Sequence, residues 1–339
     1  MSAIVCDSLN VTGSLANFRN LIDGGDFGVN PMQRGTSQVS DISNSTTYGP
    51  DRWAFLGGAS SAINWSTVAD TTVTGFATAL KFQRKNANAD TAVIKMGQVL
   101  ETADSWRCQG QQVTLSFYAK SGANYSGGAL TALVVEGTGT NDTAAHMFAA
   151  SWTAQATDIT GLATLTTTMQ RFVFTGTVST AATQVGVVFQ WTPSGTAGAN
   201  DFVQLNGIQL EIGPSATPFE HRDVQVELEI AQRYFYQINE PGAGVQVCIG
   251  VPSGTNTQVY VLPLPVQMRA APTCAVTVGS FKVVVDGAAA AAATGLTNDT
   301  THHANAVSLK STATLSAAAH SIILQGGGGV GLISASADF

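Results

Sequence analysis

Val113-Thr114-Leu115-Ser116-Phe117-Tyr118 alternates apolar and hydroxyl side chains with a period of two. A strand points successive side chains to opposite faces. The stretch therefore predicts Val113, Leu115 and Phe117 on a buried face, with Thr114 and Ser116 in water. The same alternation runs through 129–136, 171–178, Gln184–Trp191 and Phe202–Ile212. In the last of these, Val203 and Leu205 set one phase while Ile208, Leu210 and Ile212 set the other. Gly207 sits at the switch, where a β-bulge would reset the alternation. Gly127-Gly128, Gly137-Thr138-Gly139 and Pro193-Ser194-Gly195 mark turns between the runs. Many short strands with glycine-rich turns and almost no helical period predict an all-β protein with a β-sandwich over 20–212.

The rest of the chain falls outward from that block. Gly213-Pro214-Ser215-Ala216-Thr217-Pro218 reads as a turn and linker. Asp223 is placed to cap a helix, with Glu227 and Glu229 near its start and Arg233 near its end, as the helix dipole prefers. Val224, Leu228, Ala231 and Phe235 follow helical spacing, and Leu228, Ala231 and Phe235 are candidate oligomer-interface residues. Val224, Val226, Leu228 and Ile230 also alternate, so periodicity leaves helix and strand both open for the 213–236 segment. From 237 to 339 the pattern returns to β. Pro263 and Pro265 remove donors from one side of 258–268, which predicts an edge strand. The stretches 281–286 and 320–325 are further strand candidates, while the alanine run 288–293 and the glycine run 326–329 read as small-residue loops or close-packed turns.

Composition narrows the function classes. The chain has 339 residues, too many for one ordinary core, and only 11% are charged, less than half the usual share. Its net charge is −7 with 15 scattered basic residues, so no phosphate-neutralising patch is expected and nucleic acid is excluded as a partner. No apolar run approaches the ~20 residues that span a membrane, and the first residues show no basic-then-apolar secretion pattern. Cys6, Cys108, Cys248 and Cys274 are widely spaced and lack a C-x-x-C pairing, as expected for thiols made in a reducing cytosol. Only seven charged residues follow position 237 (Glu240, Arg269, Lys282, Asp286, Asp299, Lys310, Asp338). So few predict a C-terminal β-rich domain that buries surface by assembling with copies of itself.

Catalytic signatures are absent: there is no G-x-S-x-G, P-loop or H-E-x-x-H, and no catalytic residue is assigned. His302-His303 would place successive rings on opposite faces of an extended chain, which suits a polar loop better than chelation. Asp70, Asp90, Glu101, Asp104, Glu136, Asp142 and Asp158 are sparse, in turn-like contexts, and read as solvated loop acids rather than a glycosidase pair. All five tryptophans precede residue 192. Trp53 and Trp191 sit in apolar runs and read as core. Trp65, Trp106 and Trp152 adjoin polar segments and are candidate sugar-facing platforms, since aromatic faces attract the C–H face of a pyranose. Asp23, Asp26 and Glu211, with Asn206 near the last sandwich strand, are weak candidates for a structural Ca²⁺ site.

Four further stretches carry a family resemblance. Asn20-Leu21-Ile22-Asp23-Gly24-Gly25-Asp26-Phe27 leads to Gln33-Arg34-Gly35 and Asp51-Arg52-Trp53. Val99-Leu100-Glu101 precedes the opening strand quoted above. Ile208-Gln209-Leu210-Glu211-Ile212-Gly213 leads through Ala216-Thr217-Pro218-Phe219-Glu220 to Gln232-Arg233-Tyr234-Phe235-Tyr236. Met268-Arg269-Ala270-Ala271-Pro272-Thr273 follows. Together they resemble bacteriophage tail-fibre and receptor-binding proteins that carry a carbohydrate-module-like jelly roll. The resemblance implies a jelly-roll β-sandwich, a helix around Gln232-Arg233-Tyr234, and a β-rich trimerising C-terminal domain. It implies a homotrimeric virion protein, made in the bacterial cytoplasm, with residues 1–19 as a segment attaching to another virion protein and a host surface glycan as partner. Such modules often carry an acid where Asn206 stands, which weakens the Ca²⁺ expectation. The chain lacks long shaft repeats, which keeps a head fibre, decoration or connector role open beside the receptor-binding one. A polysaccharide depolymerase is the third reading.

Overall fold

The computed structural model describes residues 18–28, 34–35, 42–50, 52–140, 142–239, 245–252, 257–277, 281–285, 291–292, 294–298, 305–312, 322–325 and 332–337. The first half is a two-layer antiparallel sandwich. Its strands are β1 (Thr47–Tyr48), β2 (Ala54–Leu56), β3 (Ile63–Ala69), β4 (Thr78–Arg84) and β5 (Ile94–Val99). After helix α1 (Thr102–Cys108) come β6 (Gln112–Ser121) and β7 (Leu130–Gly137). After helix α2 (Ala144–Phe148) come β8 (Ala156–Ala163), β9 (Gln170–Thr177), β10 (Gln184–Trp191) and β11 (Phe202–Ile212). One sheet runs β1-β2-β5-β10-β7-β8 and the other β3-β4-β11-β6-β9, a jelly-roll arrangement.

The core between the layers is aromatic. Phe117 on β6 meets Phe189 on β10 edge-to-face with centroids 4.9 Å apart, and Trp53, Phe27 and Phe55 are fully buried beside them. The phase switch in β11 is real. Gly207 has φ +55°, the ladder to β6 slips between Asn206 and Gln209, and both Leu205 and Leu210 stay buried on either side of the bulge. The two sheets close on each other where β8 meets β9. A Cβ on Gly176 would lie 2.2 Å from the Asp158 carbonyl oxygen, so only glycine lets the strands approach.

One expectation for β6 fails. Thr114 and Ser116 are as buried as the apolar residues that alternate with them. The chain leaving β11 laps over this face, and the Thr114 hydroxyl donates to the Gly213 carbonyl at 2.7 Å. Hydroxyls are tolerated inside when each finds an acceptor.

A connecting helix follows, α3 (Val224–Gln232), which resolves the ambiguous periodicity. Asp223 caps it, its carboxylate accepting from the Gln225 N–H at 2.8 Å. The remainder is β again: β12 (Phe235–Asn239), β13 (Gln246–Pro252), β14 (Thr257–Pro263), β15 (Thr273–Thr277), β16 (Lys282–Val285), β17 (Ala291–Ala292), β18 (Thr294–Asn298), β19 (Ala306–Thr312), β20 (Ile322–Gln325) and β21 (Leu332–Ser336). They form a three-stranded sheet, β12-β21-β15, and a seven-stranded one, β17-β16-β20-β13-β14-β19-β18. Cys248, Tyr260, Leu262, Phe281, Leu309 and Ile333 belong to the core of this region.

The predicted edge strand is an interior one. β14 pairs with β13 on one side and β19 on the other. Pro263 is tolerated because it is the last residue of the ladder, opposite Ala306, and Pro265 lies beyond the strand. Of the alanine run, residues 291–292 form β17. Its remaining residues, the glycine run 326–329, His302-His303 and Cys6 lie outside the described residues. Cys108, Cys248 and Cys274 are buried free thiols, and burial pushes Cys108 and Cys248 up to about 12. Among the described residues no helix is long and apolar enough to cross a membrane.

Candidate functional site

Residues from the separate motifs meet at one place, the junction of sandwich, helix and C-terminal sheets. Glu101, just ahead of α1, accepts from Arg233 Nε at 2.9 Å and Nη2 at 3.1 Å, and from the Tyr234 hydroxyl at 2.5 Å. Burial opposes ionisation of Glu101. The donors Arg233 and Tyr234 outweigh it and hold the carboxyl below its usual range. The guanidinium of Arg52 lies 4.0 Å from the centre of the Tyr234 ring and bonds Asp23. Arg222 reaches the same Asp23 at 3.1 Å and Glu227 at 3.2 Å. Backbone bonds then extend the junction into the C-terminal region: Arg269 N–H to the Arg233 carbonyl at 2.9 Å, and Ala337 N–H to the Tyr234 carbonyl at 2.7 Å.

On this frame α1 presents its outer side. Trp106 is 58% exposed. It borders a shallow depression of 340 Å³ lined also by Glu101, Thr102, Ala103, Asp142 and Arg269. The Thr102 hydroxyl donates to Asp142 Oδ2 at 2.8 Å. Asp142 Oδ1 is buried and has no hydrogen-bond donor, and burial raises the pKa of this carboxyl. Arg269 Nε donates to the Ala337 carbonyl at 3.1 Å, which steadies its guanidinium at the rim. An apolar indole face and a cation are thus brought together over the enclosed Asp142 carboxyl. That set suits a polyhydroxylated ligand, whose C–H face covers the indole while its hydroxyls meet the polar rim. Across α1 a tighter cavity of 210 Å³ is walled by Asp23, Asp104, Arg107, Arg222 and Arg233. These charges are paired with one another, as Arg107 is with Asp104 at 3.2 Å, so this side reads as framework.

The other two tryptophan candidates do not face solvent. Trp65 is 2% exposed and lies parallel to Phe55 with centroids 6.1 Å apart. Its polar neighbours Asn64 and Ser66 are the alternate face of β3, so their polarity reported the strand's period rather than exposure. Trp152 is 4% exposed and packs with Met147, Phe148 and Val188, partners that only the fold brings near. The Ca²⁺ candidates already have partners within the chain. Asp23 is taken by Arg52 and Arg222. Asp26 accepts from Gly28 N–H at 3.3 Å. Glu211 accepts from Thr217 N–H at 2.8 Å and its hydroxyl at 2.6 Å. Among the described residues no group of three or more His, Cys, Asp or Glu could hold a metal.

Of the interface candidates, Ala231 is buried within the chain and Phe235 lies on β12 with the Arg34 guanidinium 3.9 Å from its ring centre. Leu228 is half-buried. The acids are not all loop groups: Glu136 is a buried residue of β7, Asp104 is on α1, and Asp158 is on β8. Sequence reasoning missed Asp142 and Arg269 as partners of Trp106. They lie far from it along the chain, and no local spacing joins them.

No protein-family model and no curated protein matches the chain. Among solved structures, the enzymatically active domain of bacteriophage CBA120 tailspike protein 4 is similar over 57% of this chain and 22% of its own, at 14% identity and TM-score 0.36. A CBM4 structure is similar over 55% of this chain and all of its own, at 17% identity and TM-score 0.32. The CBM22-1 xylan-binding domain of Paenibacillus barcinonensis is similar over 53% of this chain and 94% of its own, at 15% identity and TM-score 0.33.

Proposed function

We propose that this chain is a non-enzymatic structural protein of a phage virion, a short tail fibre or appendage, that adsorbs to a host surface glycan through the Trp106 depression. The observation that carries the reading is Trp106 itself, a tryptophan 58% exposed at the border of a depression with polar walls. The resemblance of the motif stretches to receptor-binding fibres supports it. In this reading residues 1–19 attach the chain to another virion protein and the assembly is a homotrimer. A shallow, single-aromatic site binds weakly. Several copies on one particle raise the effective affinity by multivalency, by about 10²–10⁴.

The test uses the full chain on a glycan array and in host-cell pull-down, with Trp106→Ala as comparison. Wild type should bind a host saccharide, and loss of the indole should weaken binding on the order of tenfold. No binding to host cells, beside tight binding to other virion proteins, would sink the adsorption role in favour of a decoration or connector protein. One observation supports the depolymerase reading as an alternative: the carboxyls of Glu136 and Asp158 neighbour each other on β7 and β8, and burial with Glu136 beside it pushes Asp158 up to about 7. Release of reducing sugar from host polysaccharide, lost in Asp158→Asn, would establish it.

A further inference from the structure

Ile249 is 70% exposed, Val251 63% and Val261 58%. All three lie in the middle of the seven-stranded sheet, not on its margin. The register puts them together: Gly250 pairs with Tyr260 and Val251 with Val259 across β13 and β14. Cys248, Tyr260 and Leu262 point into the core, so the residues alternating with them occupy the opposite face. That face carries Ile249, Val251, Val259, Val261 and Pro263, while the bulge between Gln246 and Cys248 takes Val245 out of this alternation.

The centre of this patch is aliphatic and poorly suited to a saccharide, with Ser308 and Lys310 of β19, opposite Val261 and Val259, standing at its border. Both strands already have ladder neighbours on each side, so no backbone edge is free to recruit an extra strand. What remains is packing of one sheet face on another. Ile249, Val251, Val259, Val261 and Pro263 together present on the order of 400 Å² of apolar surface, the size at which a patch on a monomer becomes functional. Three such patches packed round a common axis remove on the order of 1,200 Å², above the ~1,000 Å² a specific association needs. A face of that size fits further copies of this chain.

We infer that the β13–β14 face is the surface through which copies of this chain associate, with Ile249 and Val261 at its centre. The inference rests on the assembly part of the reading above and is independent of the glycan site. Light scattering on the purified full chain, wild type and Ile249→Asp/Val261→Asp, tests it. Wild type should have a multiple of the monomer mass. The double variant should be monomeric with an unchanged circular dichroism spectrum. A monomeric wild type at micromolar concentration overturns both the face and the assembly reading. A double variant that folds and keeps the wild-type mass overturns the face alone. Should the double variant misfold, Ile249→Cys provides the second measurement. Its thiol should react slowly with maleimide in the assembled protein, over the wild-type background, and fast reaction there overturns the inference.

Discussion

Glu101 and Arg233 are 132 positions apart and meet through two parallel bonds of 2.9 and 3.1 Å, one nitrogen to each carboxylate oxygen. Bidentate geometry of this kind fixes orientation as well as distance. Here it sets the end of α3 against the start of α1, and so places the wall from which Trp106 projects.

Glu101→Gln keeps the shape of that side chain and removes its charge. The folded carboxyl titrates below its usual range, so the stability it contributes is present above the unfolded value and is lost as pH falls through the folded one. The variant should therefore be less stable than wild type at neutral pH, by about 1–2 kcal/mol after allowance for the partly exposed Arg233. The gap should close in acid. Denaturant titrations at neutral pH and at about pH 3 check both parts.

Asp158 works in the opposite sense. Burial and the neighbouring Glu136 carboxylate raise it from 3.8 to about 7, so the folded protein holds this proton more tightly than the unfolded chain does. Stability from this group is present below the unfolded value and is lost as pH rises towards about 7. Asp158→Asn should raise the melting temperature at about pH 8 and flatten the pH dependence between the two values. Thermal melts across that range decide it. An unchanged pH profile would exclude Asp158 as the titrating group.

Asp142→Ala separates binding from stability. Its Oδ1 is buried without a donor, a cost to the folded state that the substitution removes. The melting temperature should hold or rise slightly, while affinity for the proposed glycan falls, on the order of tenfold, as Thr102 and Arg269 lose the carboxylate they face. Calorimetric binding and thermal melts on the same preparation show whether the two move apart.

Much of the architecture was legible from residue order alone. Alternation spans Gln184–Trp191 and Phe202–Ile212, the bounds the strands have, and Gly207 interrupts it at the bulge, because alternation and its interruption are local signals. Asp223 as a helix cap was equally local. What escaped reading depends on contacts between distant parts. Trp65 looked exposed because its neighbours are polar, yet those neighbours merely face the other way. Pro263 looked like an edge marker, yet a proline ending its ladder costs the sheet little. Asp142 and Arg269 gain meaning only when the fold sets them beside Trp106.

Under the proposed adsorption role, that last grouping has a consequence for quality control. Trp106 and Asp142 come from the sandwich, whereas Arg269 follows β14 in the C-terminal region. A chain cut short or misfolded beyond position 237 would keep its indole and lose one wall of the recess. Adsorption would then discriminate finished chains from defective ones without any separate inspection step.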